Sequence, residues 1–398
     1  MATIIPTGVQ TKFFAKVEGD FNTVTGFATS DAVPLNSLEI TPNYEFHPSK
    51  EKVGTASLQN EIAGLKGGTW TASFYAKPDG ATVTVEPDCS PFLIAAFGEA
   101  DTSGDVSYRM HDGSSEITST SSLQISRQAG ANLYESIGGA WIEQLDIEIV
   151  GNAETVINVS GGFASYRWCY GAQVSGSHST SDTTIQLNSG EGERIGVGAR
   201  IQFSDGEDNG GHGYDVTAVD NTTDIVTVSP GLINGVADDV FVEALDKAQV
   251  FTSTANPIGG VGCGLSIGGV AVGLISFKAS LKTGIHGLSA EASATGPTRL
   301  SRGAREISGE IASYFLTSET ATSDISRIAG GAWNGTTTAI IARAGPDTTK
   351  QRMKVNVPAA RINVSGVSLP ESEEATITLT FTGRQASANG DELSVDFD

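Results

Sequence analysis

Gln144-Leu145-Asp146-Ile147-Glu148-Ile149-Val150 and Thr376-Ile377-Thr378-Leu379-Thr380-Phe381-Thr382 carry the same pattern at two distant places: apolar and polar side chains alternate with a period of two. Successive side chains of a β-strand point to opposite faces, so each stretch has one face to bury and one to leave wet. Thr69 to Ala76 reads the same way, with Trp70, Ala72, Phe74 and Ala76 as the apolar set. Outward from these stretches, short alternating runs bounded by Gly, Asn, Asp and Ser recur from end to end, and helical spacing is rare. The pattern predicts an all-β protein. One short helix is expected to open at Ser90-Pro91 and stop at Gly98, with Ser as N-cap and Pro at the first helical position. A second is expected over Thr322–Ala332.

The chain has 398 residues, enough for two or three domains with cores of their own. No run of about 18 apolar residues is present to cross a membrane as a helix. Asp and Glu number 46 against 24 Lys and Arg, a net charge of -22. That balance argues against a surface that grips nucleic acid, which needs clustered cations to displace counterions from phosphates. The excess is uneven: residues 1–249 hold 33 acids and 12 bases, whereas residues 250–398 hold 13 and 12. Cys89, Cys169 and Cys263 are far apart and odd in number, so neither a disulfide framework nor a CxxC metal site is encoded. Met1 to Gln10 shows no cationic stretch leading into an apolar core, and the expectation is a protein made and kept in a cytosol.

Residues 169–248 stand apart, rich in Ser, Thr, Gly and Asp, with 13 acids and 3 bases and short strands expected at Thr184–Leu187, Arg200–Phe203, Tyr214–Val219 and Ile225–Val228. They read as a small inserted β-barrel or sandwich module. The flanking segments repeat one another in the order of their features. The first runs from an extended stretch Leu38–Phe46 through a polar loop (His47 to Thr55), a strand Leu58–Ala63, a glycine turn Gly64–Gly68 and the strand Trp70–Ala76. The first helix and late strands at Trp141–Val150 and Thr155–Ser165 follow. The second runs from Leu274–Leu281 through Gly287–Ala294, a break at Gly296-Pro297, Glu306–Phe315, the second helix, and late strands at Lys354–Ser365 and Ala375–Arg384. The division is therefore 1–168, an inserted module at 169–248, and 249–398, the outer two being a duplicated β-sandwich or barrel domain with one short helix per repeat.

At this level the chain resembles the major tail tube proteins of long, non-contractile-tailed bacteriophages, in the form that fuses two tube domains in one polypeptide. The resemblance rests on Glu51-Lys52-Val53-Gly54 before a strand, on Gly64-Leu65-Lys66-Gly67-Gly68-Thr69-Trp70, on the helix Ser90-Pro91-Phe92-Leu93-Ile94-Ala95-Ala96-Phe97-Gly98, and on the late strand pair. It covers about four-fifths of the chain as pattern, the module excluded. It implies a non-enzymatic virion protein, assembled in the bacterial cytoplasm, whose trimeric, pseudo-hexameric rings stack into a conduit for double-stranded DNA. The partners it implies are further copies of the chain, a tape measure protein in the lumen, and tail terminator and distal tail proteins at the ends, with no membrane and no cofactor. The segment His47, Pro48, Ser49, Lys50, Glu51, Lys52 falls where the family carries a loop that reaches a neighbouring ring.

A conduit must enclose DNA without holding it, and a cationic wall would trap the duplex by counterion release. The wet faces of the late strands, Gln144, Asp146 and Glu148 in one repeat and Thr376, Thr378 and Thr380 in the other, are the candidates for the lumen; the alternation alone fits an outer solvated face equally. The inserted module is expected on the outside, where its acidity suits a solvated surface.

The readings that point to chemistry are weak. Five His (His47, His111, His178, His212, His286) are dispersed with no ligand spacing. Asp205-Gly206-Glu207-Asp208-Asn209-Gly210 begins like a calcium loop, but Val216 stands where the bidentate Glu is needed, which favours a β-turn. Gly260 to Gly264 lacks the context of a dinucleotide fingerprint, and Glu191/Glu193 or Glu373/Glu374 are carboxylate pairs that an acidic chain makes by chance. The competing reading is a virion surface or decoration β-sandwich protein, or an adhesin, binding glycan or a host surface; a polysaccharide-active enzyme comes third.

Overall fold

The computed structural model describes residues 11–48, 61–79, 84–110, 121–130, 132–253, 255–289, 296–315, 325–346, 351–371, 373–386 and 392–397. The fold is all-β, with two short helices. Before the inserted module lie β1 (Thr11–Val17), β2 (Ser37–Pro48), β3 (Glu61–Tyr75), helix α1 (Ser90–Phe97), β4 (Gly98–Asp101) and β5 (Val106–Met110). They are followed by β6 (Leu123–Ala129), β7 (Tyr134–Ala140), β8 (Gln144–Val150), β9 (Val156–Phe163) and β10 (Ser165–Cys169). The module contributes β11 (Ala172–Gln173), β12 (Thr184–Gln186), β13 (Arg200–Phe203), β14 (Tyr214–Asp220), β15 (Ile225–Ser229) and β16 (Phe241–Ala244). After it come β17 (Gly264–Ile267), β18 (Val270–Val272), β19 (Leu274–Lys282), β20 (Ile285–Leu288), β21 (Arg299–Arg302) and β22 (Glu306–Tyr314). Helix α2 (Ile325–Trp333), β23 (Thr337–Ala344), β24 (Met353–Ser368), β25 (Thr376–Gly383) and β26 (Ser394–Phe397) complete the described chain.

One large antiparallel sheet runs through both ends of the sequence. Its central eight strands lie in the order β2-β3-β9-β8-β19-β22-β25-β24, so four strands from before the module continue directly into four from after it. The seam is β8 against β19, with Leu145 opposite Leu281, Ile147 opposite Ala279 and Ile149 opposite Phe277. All six side chains are buried, and they belong to one contiguous core that includes both halves. The alternating residues of each strand send their apolar set into that core, as period-two patterning requires.

The two halves cover their buried faces differently. Over β2-β3-β9-β8 lies a separate four-stranded sheet, β1-β6-β7-β10, whose Leu123, Ile125, Ile137 and Ala140 enter the same core. Helix α1 seals that core: Phe92 stacks on Phe74 at 5.4 Å and lies 5.9 Å from Trp70. In the other half, the sheet itself supplies the cover. Residues 360–368 of β24 pair with β25, and residues 353–361 pair with β23, which leads on to β17 and β18. β26 pairs with β24 and also with β5, so the C-terminal strand ties the two halves together a second time.

The module forms its own six-stranded sheet, β11-β16-β13-β14-β15-β12, and a bridge between Val174 and Leu187 joins its two outer strands. Its core, including Val174, Ile185, Phe203, Tyr214 and Val242, is separate from the main one. The loop that resembles a calcium site is a turn of this module. Asp205 accepts a hydrogen bond from the Glu207 N–H, Asp208 accepts from Gly211, and the Glu207 carboxylate is buried and accepts from Tyr214, Ile233 and Asn234.

Several local expectations change. Gly64 to Gly68 is not a turn but lies inside β3, which runs unbroken from Glu61 to Tyr75. Gly68 is there for space: a Cβ on it would lie 2.3 Å from the Thr41 carbonyl oxygen and 2.4 Å from the Phe163 ring. The strand preceding it continues past Phe46, because His47 and Pro48 pair with Ile62 and Glu61 rather than opening a loop. Ser49, Lys50, Glu51 and Lys52 lie outside the described residues. The expected strand Trp141–Val150 begins only at Gln144, and Thr155–Ser165 divides into β9 and β10. Helix α1 starts one residue earlier than expected, with Cys89 as N-cap and the Ser90 hydroxyl donating to Glu86. It ends as expected at Gly98, whose φ of 100° is open chiefly to glycine.

Candidate functional site

The residues singled out for the lumen share one face of the central sheet. Pairing carries a polar row from Ser37 through Ser73, Asn158, Asp146, Ser280, Ser308 and Thr382 to Arg361. A neighbouring row contains Glu148, Lys278, Glu310, Thr380 and Asn363. Residues directly opposite one another in an antiparallel ladder point the same way, so Gln144, Asp146 and Glu148 lie on the same side as Thr376, Thr378 and Thr380. Gln144 donates to Asp146 at 2.9 Å and to Ser280 at 3.3 Å, fixing this polar surface across the seam.

The face is not purely acidic. Lys278 lies between Glu148 and Glu310 on the flanking strands, and Lys282 lies 3.0 Å from Glu306. The alternation of Phe277, Ala279 and Leu281 with Lys278, Ser280 and Lys282 is visible in the sequence, and would have added these residues had that stretch been assigned its wet face.

At both ends the eight-stranded run stops at an edge. Among the described residues, β2 pairs with β3 alone, and β24 beyond Arg361 pairs with β25 alone. One carbonyl of the β2 edge strand is engaged: Leu38 O accepts from Arg127 at 2.9 Å. Arg127 is in turn held by Glu135, which also accepts from Tyr166 at 2.5 Å and Tyr170 at 2.9 Å. Burial pushes the Glu135 carboxyl up, but these donors outweigh it and hold the group below the usual carboxylate value.

The edges carry partly exposed apolar side chains, the Tyr44 ring lying 5.0 Å from the Lys66 ammonium. Tyr44 on β2 is 40% exposed, Val367 on β24 is 48% exposed and Leu369 just beyond it 75%. Their places can be compared with the seam. Gly309 meets the Phe381 ring and the Lys278 carbonyl just as Gly68 meets Phe163 and the Thr41 carbonyl. When these two contacts are aligned strand by strand, Tyr44 falls where β19 has Leu281, and Val367 where β24's counterpart β8 has Leu145. Leu145 and Leu281 face each other across the seam, fully buried. The edges thus bear the same kind of side chain, at the same register, on the same face as the joint already made inside the chain.

Other chemistry has little support in the geometry. Among the described residues, no group of three or more His, Cys, Asp and Glu side chains is placed to hold a metal ion. Cys89 and Cys169 are buried, and burial pushes the Cys89 thiol up to about 12, far from the reactive thiolate range. No helix among the described residues is long and apolar enough to cross a membrane. No protein-family model matches the sequence, and no curated protein matches it.

Proposed function

We propose that the protein is a tail tube subunit, and that copies of the chain join edge to edge into a closed ring whose polar sheet face lines a channel for double-stranded DNA. The observation that carries the reading is the β8–β19 seam: the chain already contains one lateral joint between two four-strand segments of identical order, and its outer strands β2 and β24 would supply the two halves of a second. In this reading the segments are a duplicated domain, and β24 of one copy pairs antiparallel with β2 of the next, with Val367 opposite Tyr44. An open edge bearing exposed apolar groups is an aggregation hazard in a monomer, and ring closure removes it.

Size supports three copies. Eight strands per chain at a spacing of about 4.8 Å give about 24 strands and a backbone diameter of about 37 Å, more once the strands tilt. Side chains reduce this by about 10 Å, leaving room for a B-form duplex. Two copies, with about 16 strands, would leave roughly 15 Å, which is too narrow. The wall's lysines suit passage because Lys278 lies between Glu148 and Glu310 and Lys282 is paired with Glu306, so these two lysines offer little net cation to phosphate. Rings would stack by an operation that does not close, giving a tube.

The test is electron microscopy of the concentrated protein beside Val367→Pro, which removes an edge N–H and cannot extend a ladder. Wild type should give end views of uniform bore with six repeating segments, and the variant should stay monomeric with unchanged circular dichroism. Rings from the variant equal to those of wild type would overturn the proposed joint, and glycan binding by a wild-type chain that stays monomeric at all concentrations would favour a surface adhesin.

A further inference from the structure

The sheet β1-β6-β7-β10 has a second face, turned away from the main core, and its composition is unusual. Gln124, Ser126 and Gln128 alternate along β6 with core residues and read in the sequence as a wet face, yet all three are buried. The cover comes from residues 24–27 on one side and from the inserted module on the other, and between them lies a cavity of about 220 Å³. Buried polar groups in proteins are almost always hydrogen-bonded, and those that are not require an explanation. Here Ser126 Oγ, Gln128 Nε2 and Arg167 Nη1, all on side chains that line the cavity, are shielded from solvent and have no protein partner among the described residues.

The charge is as unusual as the polarity. Arg167, Arg200 and Lys247 line the cavity against one carboxylate, Asp215, which Arg200 already holds through two hydrogen bonds of 2.8 and 3.0 Å. Two of the three cations in the strongly acidic stretch 169–248 are therefore spent on this one place. Burial pushes the Arg167 guanidinium down from its ordinary value, outweighing the opposing effects of Tyr134 and the buried Glu18. Two glycines make room for the guanidiniums: a Cβ on Gly198 would lie 2.5 Å from Arg167 Nε, and one on Gly26 would overlap Arg200 Nη1. The remaining walls are apolar, with Phe14 and Phe27 5.8 Å apart and Tyr134 and Leu245 beside them.

We infer that this cavity is a binding site for a small organic anion, a carboxylate carried on a single aromatic ring or a short aliphatic body. The carboxylate would be held by Arg167 with Gln128 and Ser126, and the body packed on Phe14 and Phe27. The volume lies below the roughly 300–1,000 Å³ of sites that take drug-sized ligands, which sets the size. A guanidinium is suited to a carboxylate because its planar fork pairs with both oxygens. The site joins the first β unit to the module, so its occupant would also brace that joint. The inference does not depend on ring formation and is tested on the unassembled full-length chain.

Isothermal titration and thermal unfolding with benzoate provide the test, with neutral benzamide, inorganic phosphate, and sodium chloride at equal ionic strength as comparisons. Wild type should bind benzoate saturably and unfold at a higher temperature in its presence, while benzamide and phosphate bind at least 10-fold more weakly. Arg167→Met should fold, since it removes a desolvated charge with an unpaired N–H, and should weaken benzoate at least 10-fold. Gln128→Leu should weaken it less. Equal binding of benzoate and benzamide, unaltered binding in Arg167→Met, or no saturable benzoate binding would overturn the inference; tighter phosphate than benzoate would mean a simple anion site and would overturn the assigned ligand class.

Discussion

The four-strand segments on either side of the β8–β19 seam have the same order and the same glycine-on-phenylalanine contact, yet among the described residues only the first has a separate second sheet over it. In the first segment the cover is β1-β6-β7-β10 together with α1, whose Phe92 and Phe97 are fully buried. In the second, β24 bends from one layer into the other, and α2 sets the partly buried Ile328 and Ala329 against the core while its last residue, Trp333, is almost wholly exposed. The two segments share the order of the central strands, their polar face and the position of their edges. What differs is everything behind them. A separate covering sheet leaves a further face on which a module can dock, and the inserted module does dock there. A cover made by continuing the same strand offers no such sheet.

The largest effect should come from the two helices. Phe92→Ala removes a fully buried ring between Trp70 and Phe74 and should cost about 3–5 kcal/mol in urea unfolding. Trp333→Ala, at the corresponding helix of the second segment, should change stability of the unassembled chain by no more than about 0.5 kcal/mol. Comparable losses in both would mean that α2 is as much part of the core as α1, and the contrast would be lost.

The next pair asks whether the shared contact is alike in energy as well as in geometry. Gly68→Ala and Gly309→Ala each drive a methyl group against a phenylalanine ring and a neighbouring carbonyl, at 2.2–2.4 Å. Overpacking of this kind costs about 1–3 kcal/mol, and the two losses should agree within about 1 kcal/mol. A large cost at one site with none at the other would show that the two contacts are alike only in outline.

How much of this was legible in the sequence follows from which faces are single-purpose. Strands with one wet and one buried face, such as Gln144–Val150 and Thr376–Gly383, declare themselves by alternation, and so the central sheet and its polar face could be read. Gly67-Gly68 misled because glycine marks turns more often than it marks the close approach of a ring, and nothing local tells Phe163 from any other aromatic residue. β6, unassigned in the sequence analysis, poses the opposite difficulty. Gln124, Ser126 and Gln128 alternate like solvent-facing residues, and only the fold reveals that residues 24–27 and the module lie on top of them. The cavity's cations were invisible as a cluster, since Arg167, Arg200 and Lys247 are separated by whole strands. The one available hint was that a stretch with 13 acids keeps so few bases. The edge match of Tyr44 with Val367 needs the pairing register, which alternation does not provide.

The smallest effect concerns how the first segment's edge is held. Glu135 accepts from Arg127, Tyr166 and Tyr170, and Arg127 also donates to Leu38 O on the edge strand. The second segment's edge, β24 beyond Arg361, has no such carboxylate-held arginine among the described contacts. Because the Glu135 pKa is lower in the folded chain than its ordinary value, its contribution to stability is complete above the ordinary glutamate range, about 4.3, and is lost as pH falls through the folded value. Protonation removes the charge that orients Arg127, so the β2 edge should loosen in acid before the β24 edge does. Hydrogen exchange followed from pH 6 downward, corrected for intrinsic rates, should show faster opening around Leu38 as pH falls through the lowered folded value, with little change around Val367. Glu135→Gln should shift the pH 6 pattern toward the acid one, because it keeps the shape and removes the charge. Equal acid sensitivity at both edges, or an unchanged pattern in Glu135→Gln, would place the control of the first edge in its packing and not in this carboxylate.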